Sequence, residues 1–368
     1  MQRRVVLAYF FALLVMITVA FLTVPGVQSD SAWSQYPSPT SENFGDISMI
    51  SATDGWAVGT SGMIVRWDGS SWSLVASPTI AYLSAVHTLS STDGWAVGNG
   101  GIIIRWNGSS WALVESPTTN NLYDEYMLSS TEGWAVGQYG TIIKWNGTSW
   151  ENFASPTLEN LYGIYMLSST DGWIVGNKTI LEWNGTNWNL MTPPADAILY
   201  EIQMLSSTEG WAVGNPYILK WNGTSWSISA AHGNRLLSVS ISSQNDGWAV
   251  GFNLSDKSGL IYHWDGKSWD KVNYPAEGYP RIVYMMSPDD GWMAGTNGTI
   301  LRLTPIAAPA STSILIGVGV AVLCISIGVV IFLRKRGVQH QVEKQPPGQG
   351  PGAVGQGGEP PGSEPAEF

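Results

Sequence analysis

Short apolar runs separated by clusters of turn-forming residues make up the middle of the chain. One stretch shows the pattern. Residues 161–166, 173–175, 179–183 and 188–190 read as four strands, separated by Ser-Thr-Asp-Gly, Gly-Asn-Lys and Asn-Gly-Thr-Asn and followed by Pro-Pro. Short runs bounded by such residues predict β-strands. The stretch is one copy of a repeat marked by an acid-Gly-Trp triplet, at Asp54, Asp93, Glu132, Asp171, Glu209, Asp246 and Asp290. The seven copies are spaced 39, 39, 39, 38, 37 and 44 residues apart. Four short strands in about 40 residues is the size of a propeller blade. The predicted fold is therefore an all-β, seven-bladed β-propeller. The repeated Asn-Gly or Asp-Gly between third and fourth strands suits a hairpin that needs positive φ.

The tryptophans check the register of the repeat. Each full unit carries one on its second, third and fourth strands, but the seventh unit stops at Ile300-Leu301-Arg302-Leu303 with no fourth strand. The segment Ser31-Ala32-Trp33-Ser34-Gln35-Tyr36-Pro37-Ser38-Pro39-Thr40 resembles the fourth-strand segment Ser70-Ser71-Trp72-Ser73-Leu74-Val75-Ala76-Ser77-Pro78-Thr79. The N-terminal strand is thus predicted to complete the last blade and close the ring, leaving no unpaired edge. With Trp33 placed there, all 20 tryptophans fall on repeat positions.

Both ends carry apolar runs of another kind. Met1-Gln2-Arg3-Arg4 precedes an apolar stretch reaching Val24, and Val27-Gln28-Ser29 offers small residues for cleavage, so residues 1–29 read as a signal peptide or an uncleaved signal anchor. Residues 312–333 contain no charge and are long enough to span a bilayer core of roughly 30 Å. Arg334-Lys335-Arg336 follows at once, which favours a cytoplasmic C-terminus. The expectation is a single-pass type I protein of the plasma membrane. It comprises an extracytoplasmic propeller (30–305), a short linker (306–311), the span (312–333) and a basic, Pro/Gly-rich disordered cytoplasmic tail (334–368). Gly317, Ala321, Cys324 and Gly328 share one face of the span, a small-residue arrangement that allows a weak homodimer.

Composition and charge narrow the function classes. The chain has 42 Gly, 20 Pro and only 12% charged residues, in keeping with strands and turns rather than helices. Between residues 30 and 310 there are 24 acidic and 11 basic residues, a net charge of −13, so nucleic acid and anionic lipid are poor partners. Cys324 is the single cysteine and lies in the span, so no disulfide braces the exported part.

Gly133-Trp134-Ala135-Val136-Gly137-Gln138-Tyr139-Gly140-Thr141-Ile142, followed by Asn146-Gly147-Thr148-Ser149-Trp150, resembles the repeat of the photosystem II stability/assembly-factor propellers and related Asp-box (BNR-type) propellers. The likeness covers roughly residues 31–305. It implies the propeller fold and, for function, either an assembly factor for a membrane protein complex or, through Asp-box sialidases, a glycosidase. The sequence departs from the family in having Asn-Gly or Asp-Gly before the last Trp, and in its C-terminal apolar span.

The residues themselves argue against catalysis. Sialidase chemistry needs an arginine cluster, yet Arg66, Arg105 and Arg302 occupy one repeat position, shared with Lys144, Glu182, Lys220 and His263, that cannot converge on one sugar. Arg235 and Arg281 alone lie outside it. The acids of the triplets read as turn residues, with glycine permitting positive φ. The histidines lack metal-ligand spacing, so no metal or cofactor is expected. Three tryptophans per blade read as packing between sheets rather than as a glycan platform.

Asn107, Asn146, Asn177, Asn184, Asn222, Asn253 and Asn297 each begin an N-glycosylation sequon, four of them within the Trp-Asn-Gly turn. The variable surface remains. First-to-second and third-to-fourth turns share one regular face, whereas the second-to-third turns and blade connections share a divergent one, where function concentrates. Tyr123, Tyr162 and Tyr200 recur there in three consecutive blades, beside Asn121, Asn160, Asp124 and Glu201. These seven residues are the candidate site for a protein or glycan ligand, and the leading reading is a non-catalytic, membrane-anchored binding or scaffold module.

Overall fold

The computed structural model describes residues 31–305. The signal segment, the linker, the 312–333 span with Gly317, Ala321, Cys324 and Gly328, and the tail lie outside the described residues. Among the described residues no helix is long and apolar enough to cross a membrane.

Seven antiparallel four-stranded sheets are present. They comprise blades 1 (44–74), 2 (83–114), 3 (122–152), 4 (161–191), 5 (198–231), 6 (235–272) and 7 (280–305 with Ser31–Tyr36). The strands of blade 4 run Leu161–Ser168, Asp171–Gly176, Thr179–Trp183 and Trp188–Met191, within two residues of the ends read from sequence. The N-terminal strand pairs with the last one from Ser31↔Pro305 to Tyr36↔Ile300, which is the expected closure.

The tryptophans are the mortar between blades. Each second-strand indole packs against the outer indoles of the next blade: Trp56 lies 4.7 Å from Trp106 and 5.3 Å edge-on from Trp111, and Trp95 repeats this with Trp145 and Trp150. The clasp follows the same rule, with Trp33 edge-on to Trp248 at 5.4 Å. Third-strand indoles also tie down the first turn, as in Trp67 Nε1 donating to the Ala52 carbonyl at 2.9 Å. Edge-to-face packing of large buried rings stabilises each interface beyond area burial alone.

The acid-Gly-Trp triplet works differently from its sequence reading. The acid begins the second strand and reaches across to the third. Asp54 pairs with Arg66, Asp93 with Arg105, Glu132 with Lys144, Glu209 with Lys220, Asp246 with His263 and Asp290 with Arg302. Each arginine or lysine also lies over indoles, as Arg105 does over Trp95 at 4.7 Å. The turn is instead braced by its Ser and Thr, as where Thr53 N–H donates to Ser51 Oγ.

The triplet glycine is not required for positive φ either. A Cβ on Gly55 would run into the Met49 sulfur, so this position needs close approach. Positive φ is found instead at glycines of second-to-third turns, such as Gly140 at 70°, and of the third-to-fourth turns, such as Gly147 at 95°. There Asn146 Oδ1 accepts the Thr148 and Ser149 N–H groups, so turn geometry accounts for the exposed asparagines at 107, 146, 184 and 222.

Candidate functional site: the central channel and its tyrosine mouth

The first strand of each blade pairs on one side only, and its other edge faces the central channel. Backbone N–H groups on that edge need acceptors, and side chains of the preceding blade provide them. Asp46 Oδ2 accepts from Val86 N–H at 2.9 Å, Asp124 Oδ2 from Ile164 N–H at 2.8 Å, Glu201 Oε2 from Val239 N–H at 3.1 Å, and Ser238 Oγ from Val283 N–H at 3.1 Å. A second tier lies closer to the regular face. Thr88 N–H donates to Ser48 Oγ, Met127 N–H to His87 Nδ1, Ile241 N–H to Gln203 Oε1 and Met285 N–H to Ser240 Oγ.

These latches set the electrostatics of the channel. Burial pushes the Asp46 carboxyl up to about 7 although the Val86 and Ile47 N–H groups pull it down. Burial raises Asp124 and Glu201 well above the usual carboxylate range too. Burial lowers His87 to about 4, so its ring is neutral, as acceptance at Nδ1 requires.

Asp46, Asp124 and Glu201 form a waist between two cavities. On the regular-face side the cavity holds about 270 Å³ and contains His87, Glu125, Tyr126, Tyr165 and Tyr284. On the divergent side a vestibule of about 280 Å³ is lined by Tyr82, Tyr123, Tyr162, Tyr200 and Arg281.

The three expected tyrosines come together at this divergent mouth. Each sits at a bulge in its first strand, as between Leu122 and Asp124, which turns the side chain toward the channel opening. The rings form an arc, with centroids 5.2 Å apart for Tyr123 and Tyr162 and 5.3 Å apart for Tyr162 and Tyr200. Burial raises the phenols of Tyr123 and Tyr200. Arg235 extends the arc, its guanidinium 5.3 Å from the Tyr200 ring. Tyr82 and Arg281 face it from the other half of the ring, joined by a hydrogen bond.

The remaining candidates divide. Asp124 and Glu201 are in the waist and serve as latches. Asn121 and Asn160 staple the rim: Asn121 Oδ1 accepts Gly100 N–H at 2.8 Å, and Asn160 Oδ1 accepts Tyr139 N–H at 3.0 Å while its Nδ2 contacts the Tyr162 hydroxyl. Beyond them the apolar surface continues outward. Tyr139 is 62% and Leu158 84% exposed, and the turn carrying Tyr139 abuts the connection carrying Leu158. Sequence reasoning missed Tyr82, Arg281 and this patch as parts of the mouth. The signal was available for the arginines, since Arg235 and Arg281 were the two left outside the repeat position. Asn177, Asn253 and Asn297 lie at second-to-third turns on the same face.

No protein-family model matches the sequence, and no curated protein matches it. Solved structures do resemble the fold. A structure of YCF48 bound to D1 peptide matches with a TM-score of 0.61 and 17% identity, covering 77% of this chain and 99% of that one. YCF48 from Cyanidioschyzon merolae matches with a TM-score of 0.61 and 19% identity, covering 74% and 99%. The WD40 propeller domain of Doa1 matches with a TM-score of 0.62 and 12% identity, covering 75% and 98%. At these identities the likeness is one of fold: the chain is a seven-bladed propeller similar to both YCF48 and WD40 proteins.

Proposed function

We propose that this propeller is a non-catalytic binding module that takes a polypeptide segment at its tyrosine-lined mouth, in a scaffold or assembly role. The observation that carries the reading is the arc of Tyr123, Tyr162 and Tyr200 at the end of the channel, continued by exposed Tyr139 and Leu158. Half-buried aromatic rings on a rigid frame supply contact area at modest entropic cost. Arg235, on the Tyr200 ring, and Arg281, bonded to Tyr82, add positive charge at the mouth. The fold it shares with YCF48, one structure of which is of a D1 peptide complex, supports a peptide as the ligand class.

A glycan is the second reading, since aromatic rings also stack on sugars. The tilts of 36° and 41° between successive tyrosines make a cleft wall rather than a flat sugar platform, which favours the peptide. An Asp-box glycosidase is disfavoured because the repeat-position cations are each held by a carboxylate and an indole. The apolar length of 312–333 and the basic run after it support display of the propeller outside the plasma membrane in a type I orientation.

A photo-crosslinking residue at Leu158 of the full-length protein in native membranes tests the peptide reading. It should capture a discrete polypeptide that the same residue at Leu190, an exposed position on an outermost strand, does not. Equal capture from both positions, or glycan released by the protein during the assay, counts against it.

A further inference from the structure

The seven glycan-acceptor sequons take no part in the tyrosine arc, and the fold divides them between its two faces. Asn107, Asn146, Asn184 and Asn222 occupy one position, the third-to-fourth turn of four consecutive blades, on the face opposite the tyrosine mouth. Asn177, Asn253 and Asn297 lie in second-to-third turns on the mouth's own face.

The turn asks only for an acceptor from the first group. Asn184 Oδ1 takes the Thr186 and Asn187 N–H groups, both at 2.9 Å, and Asn222 Oδ1 takes those of Thr224 and Ser225 at 3.0 and 2.9 Å. Asp68 in blade 1 and Asp265 in blade 6 accept the matching pairs of N–H groups, all at 2.8 Å. A carboxylate therefore serves this turn as well as an amide does. The amide nitrogen goes unused: among the described residues Nδ2 of Asn107, Asn184 and Asn222 has no hydrogen-bond partner, and all three asparagines are exposed. The hydroxyl two residues on is not required either. Blade 6 forms the same turn with Lys267 in that place, and the Thr186 and Thr224 hydroxyls make no hydrogen bond among the described residues. Yet every blade with Asn at the turn also has Ser or Thr two residues on, which completes the acceptor sequence for an N-linked glycan.

We propose that Asn107, Asn184 and Asn222, and a smaller fraction of Asn146, carry N-linked glycans that form an arc over the regular face and leave the tyrosine mouth open. In the transfer, Nδ2 bonds to C1 of a sugar delivered on a lipid-linked phosphate by a membrane transferase. The bond from C1 to the phosphate oxygen breaks, the phosphate leaves with the electron pair, and one amide proton passes to a base of the transferase. Whether transfer precedes or follows folding, Nδ2 must end in solvent with room for a bulky group. The exposed turn tips meet both conditions. Asn146 meets them less fully, because its Nδ2 donates to Glu151 Oε1 at 2.8 Å.

The sequons on the mouth's face do not meet them. Asn177 is half-buried, and its Nδ2 donates to Glu159 Oε2 at 2.6 Å, next to the exposed Leu158. Asn253 is half-buried in a loop that folds back on it, its carbonyl accepting Lys257 N–H. Asn297 sits at φ 57° inside a tight turn, where Thr299 N–H goes to the Thr296 carbonyl and not to the asparagine side chain. The proposal rests on the outward display of the propeller, not on the ligand of its mouth.

Peptide mapping by mass spectrometry of the full-length protein, extracted from its own membranes, tests it. Saccharide should be found on Asn107, Asn184 and Asn222, on a smaller fraction of Asn146, and not on Asn177. Thr186→Ala should remove it from Asn184 alone with no change in melting temperature, whereas Thr186→Ser should keep it, because transfer needs the hydroxyl and the turn does not. If the Ala variant is destabilised, Asn184→Asp, which keeps the acceptor as Asp68 does, replaces it. Labelling of intact cells with a membrane-impermeant amine reagent, read at the exposed Lys178, separates the two ways of failing. A labelled propeller whose three asparagines are bare, or converted only to aspartate, overturns the glycans alone, and a propeller shielded from the reagent overturns the outward display with them. Occupancy of Asn177 equal to that of Asn184, or saccharide on Asn184 that survives Thr186→Ala, would also overturn the proposal.

Discussion

Arg281 Nη2 donates a hydrogen bond to the Tyr82 hydroxyl at 2.9 Å, joining blade 7 to blade 2 across the intervening blade 1. The bond passes over Gly45, which occupies the ring position held by Tyr123, Tyr162 and Tyr200 elsewhere. A Cβ at Gly45 would run into the Leu83 carbonyl oxygen and stand 3.1 Å from the Tyr82 hydroxyl. The mouth therefore has two unlike halves, an open aromatic arc and a bridged half that fixes the approach of Tyr82 and Arg281.

Gly45→Ala should destabilise the propeller by about 1–3 kcal/mol, the usual range for forcing a methyl into a filled site. Tyr82→Phe, which removes the acceptor but keeps the ring, should cost about 1 kcal/mol. Chemical denaturation of both variants checks the order. Tyr82→Phe proving the more damaging would show that the bridge, not the space over Gly45, is the constraint.

The clasp is the second test of architecture. Trp33 is 7% exposed and packs on Trp248, while Tyr36 packs edge-on to Trp67 and Trp292 and donates its hydroxyl proton to the Ser70 carbonyl. One strand thus links blade 7 to blades 6 and 1. Trp33→Ala should cost about 3–5 kcal/mol. Deleting residues 30–36 should also expose the Ile300–Pro305 edge and promote aggregation. An unchanged melting temperature with no added light scattering would contradict the role of this strand.

Blade 4 breaks the ion-pair pattern. Glu182 stands where the other blades carry a base, next to Asp171, and burial followed by that neighbouring charge raises its carboxyl. Glu182→Arg should complete the seventh pair and stabilise the protein by about 0.2–1 kcal/mol at low salt, the range for exposed pairs. That is roughly 2 °C in melting temperature. The gain should shrink as salt is added. A loss of stability would mean that the acid pair has a partner of its own.

The channel makes stability depend on pH, with a definite sign. Asp46 titrates near 7 when folded and near about 3.9 when unfolded, so between these values the folded chain retains a proton that the unfolded chain has released. Its contribution to stability is full at low pH and is lost as pH rises through about 7. Asp124, Glu125 and Glu201 act in the same direction. His87 and His232, both lowered to about 4 by burial, act oppositely, but only below the ordinary histidine range near about 6.5. From about pH 6.5 to 8 the acids act alone, and the melting temperature should fall by roughly 2–4 °C. Asp46→Asn should flatten part of this slope. A melting temperature that rises across the same window would contradict the assigned titrations.

How much of this was legible in the sequence follows from what repeats. The blade count, the closing strand and the packing role of the tryptophans were readable because seven copies reported the same constraint. The channel was not. Its latch positions read Asp46, Ala85, Asp124, Gly163, Glu201, Ser238 and Ile282, with no consensus, and a bulge before each of them shifts the period-2 alternation that would have marked which side chains share a face. The triplet acids read as turn residues in the sequence because their partners lie 11 to 17 residues away on the next strand, as Glu209 and Lys220 or Asp246 and His263 do. Tyr123, Tyr162 and Tyr200 could be found because they recur in consecutive blades, whereas Tyr82 sits two residues earlier in its own blade and reaches the mouth only by crossing Gly45.

The tyrosine arc as binding surface is tested most directly by the affinity of the full-length protein for its crosslinked polypeptide when Tyr123, Tyr162 and Tyr200 are all changed to Ala. Truncating interface anchors often costs about 2 kcal/mol or more, so binding should weaken by about tenfold or more while the circular dichroism spectrum is retained. Asn146→Asp on the regular face keeps its turn acceptor and should bind as the native protein does. A folded triple variant that binds with native affinity would contradict the claim.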